Sequence, residues 1–228
     1  MSVLKYKGKA FGMSYKYSAM TLKMRENLLQ ELASSETGRS IPLMSIVDIV
    51  KDRSDVDPAT APYYLSAKVF IDILAVSAVN SVKVSAKCTA HGCGGTMEGR
   101  IDLSKTLESK GQPIPAEMDV AGYKMKLKPM SIEQYHELTT SGKVNQHAMI
   151  LACTQAVKNK ESGESFSIEE DHDAISDIIG NFEIGDDVIA LAEALSIMPD
   201  VVLGETIECP DCGHTEELVY VGIRDIFF

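Results

Sequence analysis

The residues with the most chemistry to offer are the cysteines. There are five, and four of them fall in two tight groups. IECPDCGH (207–214) sets Cys209 and Cys212 in a Cys-x2-Cys-Gly turn. CTAHGCGG (88–95) sets Cys88 and Cys93 in a wider Cys-x4-Cys-Gly turn. Thiolates are soft ligands, and zinc takes four of them in a tetrahedron. Two pairs therefore make one complete site, with Cys88, Cys93, Cys209 and Cys212 as the expected ligands. His91, three residues after Cys88, competes for the place of Cys93. Gly94 follows Cys93 as Gly213 follows Cys212, which favours Cys93. A site filled by protein ligands has no open position for water or substrate, so the expected zinc is structural. An odd cysteine count in two close pairs fits metal binding in a reducing compartment better than a disulfide framework.

Other reactive constellations are missing. There is no Gly-rich phosphate loop, no dinucleotide fingerprint and no Gly-x-Ser-x-Gly elbow. His136, His147 and His172 are scattered over expected helices. His172 and Asp173 are adjacent, so they are expected to point to different helix faces and make no dyad. Cys153 lies on an apolar helical face and is expected to be a buried thiol. EEDHD (169–173) is expected in the first turn of a capped helix, where acids suit the dipole. His214 is expected to be an exposed turn residue.

These groups must be positioned by elements that the pattern partly reveals. Residues 1–18 have weak strand character. TLKMRENLLQELAS (21–34) places Met24, Leu28 and Leu32 on one helical face. SSETGRS and DRSDVDPATAP read as loops, and IPLMSIVDIV between them fits helix or strand. YYLSAKVFIDILAVSAVN (63–80) reads as a largely buried helix. SVKVSAK and TMEGRIDL alternate like two strands joined by the first cysteine turn, and Tyr123, Met125 and Leu127 alternate in a third. Ser131 and Gln134 form a capping box, as do Ser167 and Glu170. Residues 145–158 put Met149, Ile150, Cys153 and Val157 on one helical face, and a last helix runs over about 186–198. ETIE and TEELVYV are the strands flanking the second cysteine turn.

The net charge of −11 is unevenly spread. Residues 1–160 hold 21 Lys/Arg and 15 Asp/Glu, whereas 161–228 hold 1 and 18. The acidic third is either a solvated surface or a docking face for a basic partner. It argues against nucleic acid there, because phosphate binding needs Lys and Arg. No run of 18 apolar residues predicts a membrane span, and MSVLKYKGKAFG has no secretory h-region.

The expected fold is α+β: a split zinc-ribbon-like small β-sheet with a mainly helical insertion and an N-terminal helical and extended arm. The expected divisions are 1–62 (arm and helix), 63–130 (first half of the ribbon with its preceding helix), 131–203 (acidic helical insertion) and 204–228 (second half of the ribbon and tail). The arm, rich in Lys and Tyr, is a candidate interaction segment.

The stretch 198–228 resembles the ending of the baseplate hub assembly proteins of T-even-type contractile-tailed phages. The shared features are Met198–Pro199, the knuckle Cys209–Gly213, Gly222, Asp225, Phe227 and Phe228. The order of residues 63–103, an apolar helix, a cysteine knuckle and RIDLS, is also similar, as is KMKLKPMS. The resemblance implies a non-enzymatic part of a phage tail baseplate in the virion, assembled in the host cytoplasm, either as a permanent component or as a chaperone that leaves after assembly. It implies other hub proteins and a tape-measure protein as partners in a multi-copy assembly, and Phe227–Phe228 as a tail that packs on its own body or anchors in a neighbour. The alternative from another class is a zinc-ribbon regulator that binds nucleic acid.

Overall fold

The computed structural model describes residues 4–34, 42–77, 80–109, 111–140 and 145–223. The Phe227–Phe228 tail lies outside them. Along the chain run β1 (Tyr6–Ala10), β2 (Met13–Tyr17), α1 (Leu22–Ser34), α2 (Leu43–Arg53), α3 (Tyr63–Val76), β3 (Ser81–Lys87), β4 (Thr96–Asp102), β5 (Leu107–Glu108), β6 (Glu117–Val120) and β7 (Tyr123–Leu127). Then follow α4 (Ile132–Thr140), α5 (Gln146–Cys153), β8 (Thr154–Asn159), β9 (Ser165–Ser167), α6 (His172–Gly180), α7 (Asp186–Ser196), β10 (Val201–Glu208) and β11 (Thr215–Val221). The class is mixed α and β. The chain divides into two compact units: Met1–Pro58, Tyr64–Ser109 and Asp200–Phe228 in one, Ala59–Tyr63 and Lys110–Pro199 in the other.

The first unit is built on α3. Val69, Phe70, Ile71 and Ile73 are fully buried there, as expected of a helix apolar on nearly all sides. At 14 residues it is too short to span a bilayer, and no described helix is long and apolar enough to do so. Residues read from sequence as a weakly periodic arm form, from Tyr6, a hairpin packed on this helix. Tyr15 is buried and donates to Asp72 Oδ2 at 2.5 Å, while Lys68 holds Oδ1 at 2.5 Å. Burial and then this hydrogen bond raise the Tyr15 pKa, so the phenol stays protonated. The ambiguous IPLMSIVDIV is helical, with Ile46, Ile49 and Val50 buried on one face of α2. Pro42 gives α2 no side-chain cap. Instead Glu31 of α1 accepts the amides of Met44 and Ser45 at 3.1 and 2.9 Å, satisfying two orphan donors from another element.

The second unit has a four-stranded antiparallel sheet, β6–β7–β8–β9, with α4–α7 around it. The capping box at α4 forms as expected: the Ser131 amide donates to Gln134 Oε1 at 2.9 Å and the Gln134 amide to Ser131 Oγ at 3.3 Å. Four expectations need correction. The helix over 145–158 stops at Cys153, and Val157 lies on β8 opposite Met125 of β7 and Phe166 of β9. Pairing on both edges outweighs the helical periodicity. Ser167 is not a helix cap but the end of β9; its amide donates to Asp171 Oδ2 at 3.0 Å, and α6 begins only at His172. Most of EEDHD therefore precedes the helix. His172 Nδ1 and Asp173 Oδ1 do meet, at 3.3 Å, with both side chains well exposed.

The two hairpins β1–β2 and β6–β7 share a device. Each turns through two residues in left-handed backbone, Phe11–Gly12 (φ 51° and 78°) and Ala121–Gly122 (φ 49° and 82°). A non-glycine residue there costs roughly 1–2 kcal/mol. In each turn the strained residue's amide is bound by a distant carboxylate: Phe11 by Glu108 at 2.9 Å, Ala121 by Asp187 at 2.6 Å. The Ala121 amide, then that of Val188, holds the Asp187 carboxyl below its ordinary 3.8. Its contribution is therefore complete above that value and is lost as the pH falls through the lower folded value. Asp187→Asn should lower the melting temperature at pH 7, and the difference from wild type should vanish well below pH 3.8 in a thermal melt series. Ala121→Asn, which suits the first position of such a turn, should stabilise the protein by about 1 kcal/mol in urea unfolding.

Candidate metal centre

Both cysteine turns sit at the tips of antiparallel hairpins. Strands β3 and β4 pair up to Lys87–Thr96, and β10 and β11 up to Glu208–Thr215. Each loop starts on a cysteine in the position after the strand and is closed by that cysteine's amide. Cys88 N donates to Gly95 O at 2.9 Å, and Cys209 N to His214 O at 2.8 Å. The two loops thus differ only by two extra residues inside the first. That difference is the widened spacing, absorbed by a turn in which Cys93 N donates to Ala90 O at 3.1 Å. Gly94 and Gly213, after the second cysteine of each loop, have φ of 64° and 71°, a region closed to most side chains.

The hairpins meet face to face. Met97 and Ile207 are buried with Cys88 and Cys209, and Ala86, Ala90, Cys93 and Leu218 pack around them. Gly99 of β4 leaves room for Ile207, whose Cγ2 would collide with any Cβ added there. Thr89 Oγ1 donates to Glu216 Oε2 at 3.0 Å and lies 3.4 Å from His214 Nε2, tying one loop to the other hairpin. Nothing in the sequence marks Thr89 for this role.

This packing brings all four sulfurs together, each within 4.8 Å of the others. Cys88 Sγ is 3.7 Å from Cys212 Sγ, and Cys93 Sγ is 3.6 Å from Cys209 Sγ. A disulfide would need about 2.05 Å. Tetrahedral zinc with bonds of about 2.3 Å puts its sulfurs about 3.8 Å apart, so a zinc-sized ion fits between them. His91 is exposed and takes no part in the cluster. Cys153, in the other unit, is a buried lone thiol pushed up to about 11 by burial.

Backbone amides are aimed at the sulfurs. Burial of Cys209 favours its thiol, but the amides of Asp211 and Cys212 outweigh this and lower it to about 7. At Cys88 the Ala90 amide favours the thiolate, yet burial and the three neighbouring thiols push it up to about 12. The neighbouring sulfurs therefore oppose a thiolate at Cys88, and a cation among them would offset that. Cys88 and Cys209 are buried, Cys93 is half-buried and Cys212 is exposed, so an ion would enter from the Cys212 side. An arrangement of this kind clamps two hairpins.

A comparison with protein families gives one match over residues 1–228, to the family described as T4 bacteriophage base plate protein. No curated protein and no solved structure matches the chain. With the whole length covered, the chain belongs to the T4 bacteriophage base plate protein family.

Proposed function

We propose that this chain is a non-enzymatic structural or assembly component of the phage tail baseplate hub, locked by a structural zinc ion on Cys88, Cys93, Cys209 and Cys212. The observation that carries the zinc assignment is the closed four-sulfur cluster spanning two knuckles. With all four positions taken by protein, the ion has no site for water or substrate, so its work is to hold hairpin to hairpin. Family membership over the full length supports the baseplate setting. Other hub proteins and a tape-measure protein are the partners this reading implies, with the virion tail as its location. The acids ringing the second knuckle, Glu205, Glu208, Asp211, Glu216 and Glu217, oppose the nucleic-acid reading.

Metal analysis of the purified chain should return one zinc per chain. Cys212→Ser should lose it and melt on the order of 10 °C lower, since a structural zinc contributes several kcal/mol or more. A Cys212→Ser protein that melts like wild type and keeps one zinc would place the ion elsewhere. For the setting, mass spectrometry of purified virions should find the chain in intact tails, and its absence there would remove it from the finished baseplate.

A further inference from the structure

The outward face of the β5–β10–β11 sheet is not covered by any described element. In register across its three strands run Leu107, Val202 and Val221, with Gly204 and Val219 as the next pair. Leu107, Val219 and Val221 are 66%, 54% and 49% exposed. Toward the knuckle the same face carries Glu208 and Glu217, both exposed and without an ion pair among the described residues. No basic residue occurs between 200 and 223. This is an apolar stripe with an acidic end.

The complement lies in the same unit. Residues 1–25 contain six Lys or Arg and no acid. The alternation of β1 and β2 puts Lys5, Lys7, Lys9 and Lys16 on the exposed face of the hairpin, and none of them forms an ion pair among the described residues; Asp55 bonds the Lys16 amide at 2.7 Å, not its ammonium. Lys7 stands directly opposite Lys16, an arrangement that destabilises a hairpin unless an anionic surface meets it. Lysine stems also cover apolar surface while their heads reach carboxylates.

Within one chain no ion pair joins these lysines to Glu208 or Glu217 among the described residues. The turn of the hairpin is bound at β5 through Phe11 and Glu108, and its inner face is held on α3 through Tyr15 and Asp72. Strand β11 is at the other edge of the sheet. We infer that a second copy of this chain is the occupant, its lysine hairpin seated on the apolar and acidic sheet face of the first. The contact deepens the reading of the chain as an assembly component and names itself as one partner. It does not depend on the zinc, because the charge substitutions below leave all four thiols in place.

Light scattering on the full chain should give two or more copies in about 50 mM salt and one copy in about 500 mM, where exposed charges are screened. The copy number tells a reciprocal pair from a ring. Lys7→Glu/Lys9→Glu and Glu208→Lys/Glu217→Lys should each be single copies at low salt. Mixed, they should associate again, because each supplies the sign the other has lost. Wild-type circular dichroism and a wild-type thermal melt would show that the variants fold, with Lys7→Ser/Lys9→Ser as the milder substitute. A wild-type chain that stays single at both salts overturns the inference, as does a mixture that fails to associate. A single-copy chain whose lysine variant instead loses salt-sensitive retention of DNA would assign the hairpin to nucleic acid.

Discussion

The cysteine end of the first unit depends on two hairpins far apart in sequence being pressed together. The inner cysteines, Cys93 and Cys209, are 116 positions apart. Holding such a loop closed costs on the order of 5 kcal/mol in chain entropy. The closed end is small: Met97, Ile207 and a few flanking side chains. An apolar patch of that size barely offsets the closure, whereas a bound ion coordinating both loops would exceed it, at about 10 kcal/mol or more in small zinc peptides. This explains why sulfur sits where a core residue would otherwise do. It also explains why the backbone amides of Ala90, Gly95, Asp211 and Cys212 converge on it.

The chain reduces the same cost a second time. Where it leaves the first unit and where it returns are neighbours. The Ser109 amide donates to Asp200 O at 2.8 Å, and the Asp200 amide donates to Ser109 Oγ at 2.8 Å. Beside them β5 pairs with β10. In the second unit the first and last residues of the excursion meet as well: Gln112 N donates to Ile197 O at 2.9 Å, and at Gly111 a Cβ would lie 2.6 Å from the carbonyl oxygens of Ile197 and Met198. An excursion whose ends are fixed side by side can fold as its own unit without straining the sheet it interrupts. The cysteine loops meet at one end of these hairpins, and β5–β10 with the Ser109–Asp200 bonds joins the chain at the other.

The sequence was most legible where chemistry and local structure coincide. Cysteine followed by glycine, placed between alternating strands, located both knuckles and paired them. Ser131–Gln134 capped a helix because β7 ends at Leu127 and Ser131 belongs to no strand. The same signal at Ser167–Glu170 failed because Ser167 was already claimed by β9, and strand pairing outweighs a cap worth about 1 kcal/mol. Cys153 to Val157 failed for a similar reason, since the period of 3.6 carries no information about a waiting sheet edge. The two-residue turns at Phe11–Gly12 and Ala121–Gly122 lack the usual Asn or Asp. Their stabilising carboxylates, Glu108 and Asp187, are 97 and 66 positions away, so no local window contains the reason for the turn.

The two cysteine hairpins also differ in charge. The first hairpin carries Lys83, Lys87 and Arg100 against Glu98 and Asp102, a small positive excess, while the second has only acids. Opposite excess on the two halves draws them together before any ion binds, and it does so at long range. But only part of the acid is used in this way. Glu216 reaches the first loop through Thr89, whereas Glu208 and Glu217 face outward. A chain selected only to close its own clasp would gain nothing from outward acids beside exposed valines, and it would be less stable for unneutralised lysines opposite one another on β1 and β2. Both features lose their cost once the surface of another subunit is present. The acids beyond those that face the first hairpin therefore leave the molecule with exposed faces of opposite sign, which suits a component of an assembly.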